Sequence, residues 1–212
     1  MDTESTGSSL EALQDIRNMM ARSARFLSLS GWSGIWAGCI ALCGAAVANI
    51  WLKDTSLYNL SPDRYGLTDT IESTFKFLML GLGVFILAVA GGYYFTLRKN
   101  QKQGVKMWNT ASRKLIINLM IPIGAAAIFI LAFIWNNHFA YIAPACLIFY
   151  GLALMNASKY TVSDIKYLGL LEVIVGCFSL FLPGWGLAFW GCGFGILHIV
   201  YGIIMWRKYD RA

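Results

Sequence analysis

Long apolar runs, broken at near-regular intervals by short polar stretches, dominate the chain. Six of them occupy about residues 29–52, 71–97, 112–135, 140–157, 164–183 and 186–206. A helix rises 1.5 Å per residue, so roughly 20 apolar residues cross the ~30 Å hydrocarbon core of a bilayer. All six runs reach or approach that length, and 140–157 is the shortest. Only Asn136, Asn137, His138 and Phe139 separate the third run from the fourth. Pro183, Gly184, Trp185 and Gly186 separate the fifth from the sixth. Connections this short demand antiparallel helical hairpins. The pattern predicts an all-α, polytopic membrane protein: a six-transmembrane-helix bundle over residues 29–206.

A different periodicity precedes the first run. Over residues 9–27, Leu10, Leu13, Ile16, Met20 and Leu27 fall on one face, and Glu11, Asp15, Asn18, Arg22 and Arg25 lie opposite. Ser8 and Glu11 have capping-box spacing. This is an amphipathic N-terminal helix within a cytoplasmic segment, 1–28. It either lies on the membrane with its arginines toward lipid phosphates or is a solvated lead-in. The polar start and late apolar run do not fit a cleavable signal peptide. Residues 207–212 are expected to be a short cytoplasmic tail.

Composition narrows the class. Hydrophobic residues make up 58% of the 212 and charged residues only 13%. Mean hydropathy is +0.58. Disorder, nucleic-acid binding and a disulfide scaffold are excluded by such values. The five cysteines all fall within apolar runs. For a membrane protein the net charge of +6 matters through its sidedness. With six spans, Lys53, Arg64 and Lys76 fall on one side, and the remaining 14 of the 17 lysines and arginines on the other. That bias predicts both termini in the cytoplasm. The basic stretch from Arg98 to Lys106 reads as a topogenic loop, with anionic lipid as the sharper alternative. Trp51, Trp108, Trp135, Trp185 and Trp206 sit at run ends, as interfacial anchors do.

Small residues form stripes within the runs. Gly31, Gly34, Gly38, Ala41 and Ala45 recur at 3-4 spacing, as do Gly169, Glu172, Gly176, Ser179 and Pro183, and Gly191, Gly195, His198, Gly202 and Met205. Such stripes permit close backbone approach between membrane helices. Residues 30–42 align with 168–180, and 81–92 with 191–202, which points to a duplicated hairpin, 29–97 and 164–206. Gly191-Cys192-Gly193 lies inside an apolar run with no preceding strand, so it is not a nucleotide loop. Pro122 and Pro144 are expected to kink the third and fourth helices.

Two ionisable residues break the apolar rule deep in the membrane. Glu172 and His198 each lie about 15–17 Å from the turn joining the last two runs, close to mid-bilayer. Both fall on a small-residue stripe, so they should face each other. An isolated charge there costs at least ~2.5 kcal/mol. As a candidate intramembrane polar pair they are either a proton relay or a buried clasp on the hairpin. Tyr167 and Tyr201 extend the polar line toward the cytoplasm.

Other chemistries find little support. One intramembrane histidine does not make a bis-histidine haem site. No zinc motif occurs. The Gly-x-Ser-Gly nucleophile of rhomboid-type proteases is missing from the fourth run. No catalytic, cofactor-binding or metal-binding residue is assigned, and no cofactor is expected.

Met20-Ala21-Arg22-Ser23-Ala24-Arg25-Phe26-Leu27-Ser28-Leu29-Ser30-Gly31, together with the stretch from Gly193 to Gly202, resembles an uncharacterised family of small bacterial six-span inner-membrane proteins. The resemblance implies a bacterial inner membrane and carries no reaction. The sequence ranks first a small channel or transporter-like protein, proton-linked through Glu172 and His198. Second is a non-transporting scaffold or sensor subunit with a basic cytoplasmic face. An enzyme ranks behind both. The expected partners are the lipid bilayer and a second copy of the chain, not nucleic acid.

Overall fold

The computed structural model describes residues 30–54, 67–104 and 108–210. The amphipathic segment 9–27 lies outside these residues, as does most of the 53–70 connection. Within them the chain is helical, with no strands. The helices are α1 (Gly31–Asp54), α2 (Leu67–Gln103), α3 (Thr110–Trp135), α4 (Ile142–Ala157), α5 (Ile165–Leu180) and α6 (Gly186–Asp210). Short 3-10 turns, Phe139–Tyr141 and Ser158–Tyr160, flank α4. Asn137 and Gly184 take positive φ of 59° and 99° in the two hairpin turns. Asparagine tolerates that region and glycine is free in it.

Five helical stretches are long and apolar enough to cross a membrane: Gly31–Lys53, Thr74–Gln103, Thr110–Trp135, Phe139–Tyr160 and Gly186–Asp210. The fifth run falls short. Instead of covering 164–183, α5 has 16 residues, roughly 24 Å of helix. Its C-terminal end stops ahead of Pro183 and the positive-φ Gly184. The run that looks weakest in sequence, the fourth, gains the needed length from its two 3-10 turns.

Packing follows the glycines. α2 packs on α1, α1 on α6, α6 on α4 and α5, α5 on α4, and α4 on α3. The closest backbone approaches are α1 with α6 and α4 with α5. A methyl on Gly38 would lie 2.6 Å from the Gly195 carbonyl, and one on Gly169 would lie 2.6 Å from the Gly151 carbonyl. The duplicated-hairpin matches do different work. Gly31 and Gly38 of α1 face α6, whereas Gly169 and Gly176 of α5 face α4. Gly81 and Gly83 meet no neighbour, whereas Gly193 is tightly enclosed. Between α1 and α2, Trp36 lies on Gly91 and donates its indole N–H to the Leu87 carbonyl at 3.0 Å. An unpaired donor in hydrocarbon would be costly.

The two prolines occupy different positions in their helices. Pro144 lies in the first turn of α4, where its missing N–H interrupts nothing. Pro122 is inside α3, which continues through it. Proline has no N–H to give the carbonyl four residues earlier, that of Asn118. Asn156 of α4 supplies the missing donor, Nδ2 to Asn118 O at 2.9 Å. Asn109 and Ser112 close the start of α3 with a reciprocal capping box.

One end of the bundle is tied by carboxylates. Residues 207–210 are not a tail; they continue α6 as a π-helical turn, Trp206–Asp210. Asp210 accepts from the Gly31 N–H at 2.9 Å and the Ser30 hydroxyl at 3.1 Å, and pairs with Lys99 at 2.7 Å. Asp164 takes Lys208 at 2.7 Å and the Tyr209 hydroxyl at 3.1 Å. The basic stretch 98–106 is therefore helical through Gln103, and its Lys99 is engaged within the protein.

Candidate functional site

Glu172 is the eighth of the 16 residues of α5, and His198 lies at the middle of α6. His198 Nδ1 is 3.3 Å from Glu172 Oε1. Glu172 is 0% exposed and His198 5%. The two deepest ionisable groups thus meet, with mid-helix depth on both sides.

The local backbone makes room for them. α6 widens into a π-helix over Gly191–Leu197, immediately before His198. Such wide turns inside α-helices are frequent at functional sites. Here three glycines occupy it, all buried. A methyl on Gly193 would lie 2.5 Å from Glu172 Oε2. Gly193 therefore leaves space for the carboxylate, and its carbonyl lies 3.1 Å from His198 Nδ1. A carbonyl only accepts, so Nδ1 carries a hydrogen.

A third group, not distinguishable in the sequence, completes the cluster. Tyr150 of α4 places its hydroxyl 2.9 Å from His198 Nε2. In the neutral ring Nε2 accepts that hydroxyl proton; in the charged ring Nε2–H donates to the Tyr150 oxygen. Tyr150 looks like one more apolar-run tyrosine in sequence. Only the approach of α4 to α6 selects it. Phe194 and Trp190 extend the ring contacts along α6: Phe194 stacks on His198 at 6.0 Å and meets Tyr150 at 5.0 Å and Trp190 at 5.2 Å. This wall holds the imidazole plane.

Satisfaction within the cluster is unequal. His198 uses both ring nitrogens, but neither Glu172 oxygen has a hydrogen-bond partner among the described residues. His198 offers Glu172 proximity of charge without an aligned N–H. At 0% exposure no water-sized space touches the carboxyl.

The proposed extensions divide. Tyr201 is half-buried one turn beyond His198, its hydroxyl enclosed without a partner. Tyr201 and Tyr150 pack on the same cluster of Leu154, Ile165 and Leu168. Tyr167 is 67% exposed and stands apart from the pair. Among the described residues no group of three or more His, Cys, Asp or Glu side chains is arranged to hold a metal ion. No protein-family model, curated protein or solved structure gives a match to this chain, so the cluster itself carries the functional argument.

Proposed function

We propose that the chain is a proton-responsive membrane protein in which Glu172, His198 and Tyr150 form a proton-holding centre. In this reading all six helices lie within a bacterial inner membrane, α5 being completed by its flanking turns. The end of the bundle that carries Ser30 and Asp210 then faces the cytoplasm. The cation bias supports that orientation: Arg98, Lys102, Arg113, Lys114, Lys159 and Lys166 belong to the same end as the Asp164 and Asp210 ties.

The carrying observation is a fully buried carboxyl group with no hydrogen-bond donor, 3.3 Å from an imidazole that is fully bonded. A clasp selected for stability would satisfy the carboxylate, because an unpaired buried acceptor costs about 1–3 kcal/mol. A site whose charge state changes needs an arrangement poised between two protonation states instead.

The closed packing around Glu172 supports the second of the two functions read from sequence. A solute path would bring water or a polar lining to the carboxyl. A sensor or scaffold subunit, which converts proton uptake into helix movement, needs none. The transporter-like reading keeps one favourable observation, the π-helical turn beside the pair, where a change of helix register would open the seam.

Infrared spectroscopy of the reconstituted protein tests the conclusion. A protonated-carboxyl band that changes with pH and vanishes in Glu172→Gln is expected, with no Glu172-dependent proton flux across the liposome. Absence of such a band at every pH removes the proton-holding centre. A flux abolished by the same substitution transfers the conclusion to the transporter-like reading.

A further inference from the structure

Resting on that reading, we propose that the buried pair exchanges its proton with one end of the bundle only, along Asp164, Tyr201 and Tyr150. Tyr201 is the relaying hydroxyl of the route.

The residues are ordered along the helices. Asp164 is the outermost; its side chain is 21% exposed and bonded to Tyr209 and Lys208, so it can collect protons from water. Tyr201 lies between it and the pair. Tyr201 shares the Leu154, Ile165 and Leu168 packing surface with Tyr150, and Asp164 directly precedes Ile165 of that surface. The Tyr150 hydroxyl then reaches His198 Nε2, and His198 Nδ1, bonded to the Gly193 carbonyl, stands 3.3 Å from Glu172 Oε1. The Tyr201 hydroxyl is enclosed yet bonded to nothing, an unusual state for a buried phenol. As a link that bonds only while a proton passes, it has a use.

The transfer balances. A proton taken from water by Asp164 passes to the Tyr201 oxygen as the Tyr201 proton leaves for the Tyr150 oxygen. The Tyr150 proton moves to Nε2, and the Nδ1 proton leaves its bond to the Gly193 carbonyl and goes to Glu172 Oε1. Each intermediate oxygen ends with one proton, and Glu172 gains one. His198 ends protonated on Nε2 and resets when the proton returns.

The opposite direction offers no such sequence. Beyond Glu172 on α5 the next buried polar group is Ser179, seven residues on, with an unpartnered hydroxyl. Leu147 and Gly193 close against Glu172 on that flank. From α4 the other titratable group facing inward is the Cys146 thiol. α1 and α5 contribute Cys39, Cys43 and Cys177, all exposed, and α6 the half-buried Cys192.

The test is the rate at which the Glu172 carboxyl band responds to a rapid pH jump in detergent. Tyr201→Phe removes one unbonded oxygen and keeps the ring, so the fold is retained. It is expected to slow the response at least tenfold while leaving the titration midpoint in place. Ser179→Ala is expected to respond at the wild-type rate. A wild-type rate in Tyr201→Phe, or equal slowing in Ser179→Ala, overturns the one-sided route while the proton-holding centre stands. A missing Glu172 band overturns both.

Discussion

Gly193 owes its place to the carboxyl group beside it. Its missing side chain holds Glu172 Oε2 and a methyl of Leu147. Gly193→Ala forces these apart, an overpacking cost of about 1–3 kcal/mol. Gly81 faces nothing within 4 Å, so Gly81→Ala is expected to be neutral or to stabilise by about 0.5–1 kcal/mol through helix propensity. Thermal unfolding of the two variants in detergent should move the midpoint in opposite directions, or only in Gly193→Ala. Equal loss in both would mean that helix glycines matter generally and that Gly193 has no special duty. Depth and stripe position made Glu172 and His198 readable as a pair from spacing alone. Tyr150 was not readable, because nothing in a linear chain distinguishes it from Tyr141 or Tyr160 until α4 is laid against α6.

Between helices, the α3–α4 contact contains a repair of a helix defect. Pro122 leaves the Asn118 carbonyl without its usual donor, and Asn156 provides one. Asn156→Leu should therefore cost about 0.6–1.7 kcal/mol, the range of membrane interhelical hydrogen bonds. In a Pro122→Ala background, where the backbone N–H returns, the same substitution should cost clearly less. The double-mutant cycle measures that coupling, and an additive result would dissociate the asparagine from the proline. Sequence alone flags a proline kink here, because the proline is visible and its remedy lies 34 residues downstream. The π-helical turns of α6 are equally hidden. Glycines at 191, 193 and 195 permit them, but a straight α-helix is the default for any apolar run.

Across the bundle, α6 acts as the tie. Its middle carries His198, and its last turn carries Lys208, Tyr209 and Asp210, which reach α5, α1 and α2. Asp210→Asn weakens the charged bonds to Lys99, Ser30 and Gly31. Charge-assisted hydrogen bonds contribute about 1.5–3 kcal/mol, so a loss of that order is expected, along with faster proteolysis at the α1 N-terminus. An unchanged cleavage pattern would mean that the tie is ornamental. Orientation has its own check. A single cysteine placed at Asn137 and another at Lys159, in a cysteine-free background, should react with impermeant thiol reagents from opposite faces of a vesicle, with Lys159→Cys protected on intact cells. Labelling from the same face would remove the fourth span and with it the common end of Asp164 and Asp210.

What the sequence by itself determined is the class of the molecule. Apolar length and short turns are local quantities, and a bilayer reads them locally, so helices long and apolar enough to cross it follow without knowledge of neighbours, and the lopsided distribution of cations is the basis of the proposed sidedness. The depth of Glu172 and His198 is local in the same sense, being a count of residues from a turn. Tertiary structure decided everything that depends on which helices touch. Glycine stripes state that a close approach will occur, but a stripe fits any partner stripe. Gly31 and Gly38 settled on α6 and Gly169 on α4, and neither pairing follows from the duplicated pattern. Pairing brought Tyr150 to His198, left both Glu172 oxygens without donors among the described residues, and buried the carboxyl completely. Hydrogen bonds are directional and act within about 3 Å. A shift of one helix by a single turn would therefore have erased the cluster while leaving every apolar run intact.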